Sequence, residues 1–323
     1  MGESERQKLL RKPGLFLAIT FGVAWGGYFT AWGCGQRYGD ANFDIVLVLG
    51  SLAPLAAMFI CRKQEGYGFD PELWGLAPHF KGNFLTYGFG YVFPTALALV
   101  AGLLFFTMHP QQYDPQGETF IAGLVEGGMT REQASGVFSS LLGMGVLAGP
   151  FANILLSAAE LLGFQGYLLP KAQEVFGKNA PMKAALACSG VWALWYAPLF
   201  FDGYFYGRAY GGFPVLGLLT GLLFYFLLGL SLSYMTLRTG SILPAALSRS
   251  GVTAMAAAGI YFAKGEVGLL TGPGLYGVFG CLGLLLFGAL FLLRIRRIDR
   301  AGKLYAQRAK KQKTLPATGQ AKG

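Results

Sequence analysis

Glu160 is the only acidic residue well inside a predicted membrane span of this chain, and Arg249 is a cation at comparable depth in another. A charge at the centre of a bilayer costs about 2.5–3.5 kcal/mol or more, so an ionisable residue there marks a site by default. The simplest arrangement has the two side chains facing each other. On a helix over 137–162, Asn153, Ser157 and Glu160 fall at i, i+4 and i+7 and share a face. Ser189, Trp192 and Tyr196 lie at i, i+3 and i+7 of the next span. Arg249 and Thr253 lie four apart in a third, with Ser248 and Ser250 beside Arg249. Three polar stripes on three helices can meet in one interior pocket.

That pocket has two readings. Polar side chains can act as glue that sets helix register. Alternatively the carboxylate is a general base in a dry intramembrane site. The chain holds only two histidines, His79 and His109, both at span edges or in loops. No histidine can therefore join Glu160 at its depth. A zinc-protease pair of histidines, a histidine general base and a serine–histidine couple are all excluded there. No spacing suggests a metal site, and nothing in the sequence calls for a cofactor. The four cysteines, Cys34, Cys61, Cys188 and Cys281, lie in or beside apolar runs and read as small buried hydrophobes.

The elements that must position these residues are membrane helices. The 323 residues are 54% hydrophobic and 13% charged, with mean hydropathy +0.47. Long uncharged runs of that kind make an all-α polytopic membrane bundle. About eight spans are expected, at 14–32, 43–61, 85–108, 137–162, 184–201, 213–236, 242–262 and 273–293. Pro150 falls inside the fourth and is placed to kink it. Residues 163–182 read as a polar connection, with a short interfacial helix beginning near Tyr167. Residues 1–12 form a polar arm, 13–294 the bundle and 295–323 a basic, disordered tail. Basic residues concentrate in the arm, the loops at 62–81 and 163–182, Arg238 and the tail, which puts both termini in the cytoplasm of a cell-membrane protein. The net charge of +10 lies largely in the tail, so its expected partner is anionic lipid headgroups and not nucleic acid. Gly22 and Gly26, Gly145 and Gly149, and Gly217 and Gly221 have helix-packing spacing. Trp195, Phe200, Phe201, Tyr204, Phe205 and Tyr206 read as an interfacial aromatic belt. Leu315-Pro316-Ala317-Thr318-Gly319 spells a sorting word, but it follows the last apolar segment instead of preceding one, so it is read as chance.

Residues 137–255 resemble the CPBP family of intramembrane endopeptidases. That family includes the type II CAAX prenyl endopeptidases and the bacterial lysostaphin-resistance-protein-A-like and bacteriocin-processing or immunity proteins. Its first motif, Glu-Glu-x-x-x-Arg running on to Gly-Tyr-Leu-x-Pro, is matched by Ala159-Glu160-Leu161-Leu162-Gly163-Phe164-Gln165-Gly166-Tyr167-Leu168-Leu169-Pro170. Its second, Trp-x-x-Trp-His-x-Pro, is matched by Trp192-Ala193-Leu194-Trp195-Tyr196-Ala197-Pro198. Its third, Thr-Gly-Ser followed by His-x-x-x-Asn, is matched by Thr239-Gly240-Ser241 leading to Arg249 and Thr253. The scaffold words agree in order and spacing, and the chemical ones do not.

In the family, the resemblance implies, the first Glu activates water, and two His and an Asn bind or polarise the scissile carbonyl. Here those positions are Ala159, Tyr196, Arg249 and Thr253, and the motif Arg is Gln165; only the second Glu, Glu160, remains. Ala159 cannot deprotonate water. Tyr196 is a poor base near pH 7. Arg249 can stabilise an oxyanion but cannot take a proton. The expectation is a family relative without catalysis, in which Arg249 compensates Glu160 and which binds or chaperones a membrane, peptide or lipidated partner. Two alternatives stand beside it. One is an active endopeptidase with Glu160 as base and Tyr196 and Arg249 as oxyanion donors. The other is a small-solute transporter whose path these residues line.

Overall fold

The computed structural model describes residues 3–177 and 180–301. Among them every regular element is a helix. The first four are α1 (Glu3–Gly33), α2 (Ala41–Gln64), the single turn α3 (Pro71–Trp74) and α4 (Phe84–Met108). A helical hairpin follows, α5 (Glu118–Glu126) and α6 (Arg131–Leu147). Next come α7 (Gly149–Ala152), α8 (Ile154–Leu161), a π-helical stretch (Leu162–Leu168) and α9 (Leu169–Phe176). The chain ends on α10 (Pro181–Trp195), α11 (Ala197–Phe201), α12 (Val215–Thr239), α13 (Leu243–Ala254) and α14 (Val278–Ala301). The basic tail beyond Ala301, with its sorting-like word, lies outside the described residues.

Among the described residues, five helices are long and apolar enough to cross a membrane: Leu10–Gly33, Ala41–Gln64, Phe84–Met108, Val215–Thr239 and Val278–Ile298. Local chemistry fixes their ends. Asp44 lies in the first turn of α2 and Arg62 and Lys63 in its last, each opposing the helix dipole. Gly240 closes α12 with φ +72°, a conformation glycine adopts without a Cβ penalty. Thr130 and Gln133 cap α6 reciprocally.

The other three expected spans are interrupted helices, and they carry the motif residues. Residues 137–162 are cut at Ala148 and at Asn153 around Pro150, which breaks the helix outright. Residues 184–201 are cut at Tyr196, two residues before Pro198. The 242–262 segment is helical only to Ala254 and then turns through a 3-10 stretch, Ile260–Phe262. Irregular backbone at membrane depth persists only where protein surrounds it. These segments pack against the frame: α12 lies against α10, α13 and α14, and α13 also contacts α4, α7 and α8, while Met144, Leu147, Phe151 and Leu155 of the 137–162 segment stay exposed.

Two expectations are corrected. Residues 163–168 are not a polar connection: all of Leu162–Leu168 is buried and continues α8 into α9. A Cβ on Gly163 would stand 2.6 Å from the Pro54 carbonyl oxygen, so the π turn presses directly on the α2 backbone. The aromatic group after Trp195 is not a belt either, because Trp195, Phe200 and Tyr206 are buried and stack into the interior; of the three remaining, only Phe201 is largely exposed. Among the small-residue pairs, Gly145 and Gly149 meet Met255 and Ala254, and Gly217 and Gly221 meet Tyr210 and Phe200. A Cβ on Gly22 or Gly26 would meet nothing within 4 Å.

Candidate functional site

Four elements converge on Glu160. It lies near the end of α8, Trp192 near the end of α10, Tyr196 in the break between α10 and α11, and Arg249 in α13. All four are buried. The Tyr196 hydroxyl donates to Glu160 Oε1 at 2.9 Å, and Trp192 Nε1 donates to the same oxygen. Arg249 Nη2 approaches Glu160 Oε2 at 3.8 Å. The same Nη2 donates to the Tyr196 hydroxyl at 3.0 Å and to the Tyr225 hydroxyl of α12 at 3.2 Å. Arg249 Nη1 donates to Thr253 Oγ1 at 2.5 Å.

Tyr196 thus sits between the charges, accepting from the cation and donating to the anion. The guanidinium also lies 5.5 Å from the centroid of the Tyr225 ring and 5.9 Å from that of Trp192, within cation–π range. Burying both charges is tolerable only with such hydrogen bonding in addition to their attraction. Arg249 Nε has no protein partner.

Of the residues named from the sequence, the structure brings together Glu160, Trp192, Tyr196, Arg249 and Thr253 in one cluster. Gln165, at the family's Arg position, is not part of it: it pairs with Ser233 of α12 through Nε2 at 3.1 Å and Oε1 at 3.2 Å. Ala159 is buried beside Glu160 and supplies no polar atom. The stripes meet only in part. The Asn153 backbone N–H donates to Ser250 Oγ at 2.9 Å, which donates to the Gly149 carbonyl at 2.9 Å, tying the α7–α8 break to α13. Ser189 packs on Gly229, and neither Ser189 Oγ nor Ser248 Oγ has a hydrogen-bond partner.

Chemically, the cluster surrounds its one carboxylate with donors. Trp192, Tyr196 and Arg249 offer no base. Among the described residues, no group of three His, Cys, Asp or Glu side chains could hold a metal ion.

A second buried polar network joins the end of α2 to α9. Lys171 Nζ lies 3.2 Å from Glu65 Oε2 and 3.3 Å from Glu174 Oε2, and Tyr167 donates to Glu65 Oε1 at 2.8 Å. Arg62 Nη2 donates to the carbonyls of Leu73 and Gly166. The network clamps the π-helical stretch that follows Glu160.

The helical bundle with its apolar spans defines a multi-pass membrane protein. Residues 138–255 match the family model described as type II CAAX prenyl endopeptidase Rce1-like. The match bears out the resemblance read from the motifs, and covers the segment that holds every motif position named above. A comparison with curated proteins finds no match for the chain.

Sequence reasoning missed Tyr225, Ser233, Glu65 and Lys171. Tyr225 and Ser233 share their span with Thr220, Ser231, Tyr234 and Thr236, so neither stands out by residue type. Glu65 and Lys171 looked like ordinary charges at span ends.

Proposed function

We propose that this protein is a non-catalytic relative of the CAAX prenyl endopeptidases that binds a lipidated or membrane-embedded peptide partner. The observation that carries this reading is the state of Glu160. One oxygen accepts from Tyr196 and Trp192, and the other faces Arg249. A general base needs an available lone pair within hydrogen-bond reach of the proton it is to take, and three donor groups already crowd this carboxylate. No neighbour in the cluster can replace it, because Ala159, Tyr196, Arg249 and Thr253 stand where the family's water-activating and carbonyl-binding groups would be. The retained scaffold words keep the helices in place, which preserves a surface for a partner without the reaction.

The concentration of basic residues in alternate segments between the spans, among them Lys63, Arg238 and Arg297, supports both termini lying in the cytoplasm.

The test uses the full chain in lipid nanodiscs with a prenylated, carboxymethyl-free CAAX-type peptide. Retention of the peptide without hydrolysis is expected. Hydrolysis abolished by Glu160→Gln would overturn the reading in favour of a rearranged Glu160/Tyr196/Arg249 protease. Failure to retain the lipidated peptide above an unmodified control would remove the partner assignment.

A further inference from the structure

The connection between α11 and α12 folds back over the Glu160 cluster. Its first turns, residues 202–207, are built on Gly203 and Gly207, at φ +92° and +69°. A Cβ on Gly203 would stand 2.7 Å from the Gly207 carbonyl oxygen. Between the two glycines Phe205 is held at φ +67°, a region that bulky side chains avoid. Such strain persists only where the surroundings impose it, and it gathers at clamps and switches.

A circuit of rings imposes it here. Tyr204 stacks on Tyr196 with centroids 6.2 Å apart and meets Phe205 at 3.8 Å. Phe205 lies on Tyr276 at 3.7 Å, 8° from parallel. Tyr276 stacks at 6.3 Å on Tyr225, which returns to Tyr196 at 3.8 Å. The circuit thus includes both phenols that accept from Arg249 Nη2. Tyr196, Tyr225 and Tyr276 are buried, whereas Tyr204 and Phe205 are only half-buried. These two rings are the outer layer over the buried centre.

The layer is fastened from outside. Arg208 staples the ends of the turn together, donating from Nε to the Asp202 carbonyl at 3.1 Å and from Nη2 to Asp202 Oδ1 at 2.8 Å. Asp202 Oδ2 in turn accepts from Trp32 Nε1 at 3.0 Å and from the Tyr38 backbone N–H at 2.7 Å, which ties the staple to the end of α1. The Arg208 side chain is 46% exposed, so its ion pair is screened by water and adds little hold. Tyr206 is the fixed end, its hydroxyl donating to the Tyr276 carbonyl at 2.6 Å.

We infer that Tyr204 and Phe205 form a gate over the Glu160–Arg249 centre, which swings out about Gly203 when the Arg208 staple lets go. Closed, it completes the ring circuit. Open, it relieves the Phe205 backbone and uncovers two buried donors without a protein partner, Arg249 Nε and the Tyr276 hydroxyl. Motions of this kind admit a guest to a site otherwise sealed from water. The gate stands apart from the peptide-binding reading, and its test contains no peptide.

The probe is hydroxyphenylglyoxal, a water-soluble reagent for guanidinium groups, applied to the full chain in nanodiscs. Initial rates at each arginine are read by mass spectrometry, before Arg208 itself reacts appreciably, so that the reagent does not open the gate. Arg249 and Arg62 are similarly buried, at 6% and 3% exposure, but only Arg249 lies under the gate. In the wild-type chain Arg249 is expected to react at least tenfold faster than Arg62. Arg208→Ala removes the staple, and Phe205→Gly removes both the ring and the backbone strain. Each should speed Arg249 at least fivefold and leave Arg62 unchanged. Arg249 reacting no faster than Arg62 in the wild-type chain overturns the inference, and needs no variant to fold. So does an Arg249 rate that neither variant raises, or that rises only in step with Arg62, the mark of general loosening.

Discussion

The hydroxyl of Tyr196 reaches Glu160 Oε1 at 2.9 Å, closer than the 3.8 Å that separates Arg249 from the same carboxylate. The buried charges are therefore joined largely through a phenol. Tyr196 stands in the break between α10 and α11, two residues ahead of Pro198.

Removing either charge alone leaves the other stranded among apolar residues. Glu160→Gln and Arg249→Met are each expected to destabilise the protein by about 3–5 kcal/mol, and the double variant by clearly less than their sum. Thermal or denaturant unfolding in a fixed detergent, arranged as a double-mutant cycle, measures the coupling. Strictly additive losses would show that the two residues do not stabilise each other.

Tyr196→Phe keeps the ring and deletes the bridge. One donor to Glu160 and one acceptor for Arg249 disappear together, so a loss of about 1.5–3 kcal/mol is expected, as for hydrogen bonds to charged groups. The same unfolding assay checks it, and Tyr225→Phe, which removes a single acceptor, should cost less.

Gly163→Ala tests the contact between the π turn and α2. Its Cβ would stand 2.5 Å from Pro54 Cβ and 2.6 Å from the Pro54 carbonyl oxygen, and backbone cannot move aside as a side chain can. Overpacking of about 1–3 kcal/mol is expected. Gly22→Ala, which meets nothing within 4 Å, should leave the melting temperature nearly unchanged.

Asp114 lies in the loop between α4 and α5. Burial pushes its carboxyl up, but donors from the Thr119, Glu118 and Gln116 backbone and the Thr119 hydroxyl outweigh this and hold it below the usual carboxylate range. The folded form thus binds its proton less tightly than the unfolded one. Its stabilising contribution is complete above the unfolded value near pH ~4 and is lost as pH falls through the folded value. Asp114→Asn should lower the melting temperature at pH 7, with the gap to wild type closing as pH falls below the usual carboxylate range. A gap independent of pH would show that the carboxylate's charge is not what matters.

How much of this was legible in the sequence depended on contrast. Glu160 and Arg249 stood out because a lone charge in an apolar run has few alternatives to pairing. The scaffold motifs around them gave the resemblance that the family model matches over 138–255. Tyr225 and Ser233 were hidden because hydroxyls are ordinary in membrane helices, and only packing shows that they meet Arg249 and Gln165. The stretch 163–168 was misread because Gly163, Gln165 and Gly166 resemble turn residues in composition; the partner surface of α2 overrides that local signal. The interrupted helices were read as full spans because hydropathy registers length but not the breaks at Asn153, Tyr196 and Ala254.

The convergence of α8, α10, α12 and α13 on one carboxylate limits how this bundle can move. Sliding any of these helices past the others would expose an unneutralised ion to hydrocarbon, so the centre behaves as a rivet. Rocking of two halves about that point, as alternating access requires, would have to break it in every cycle.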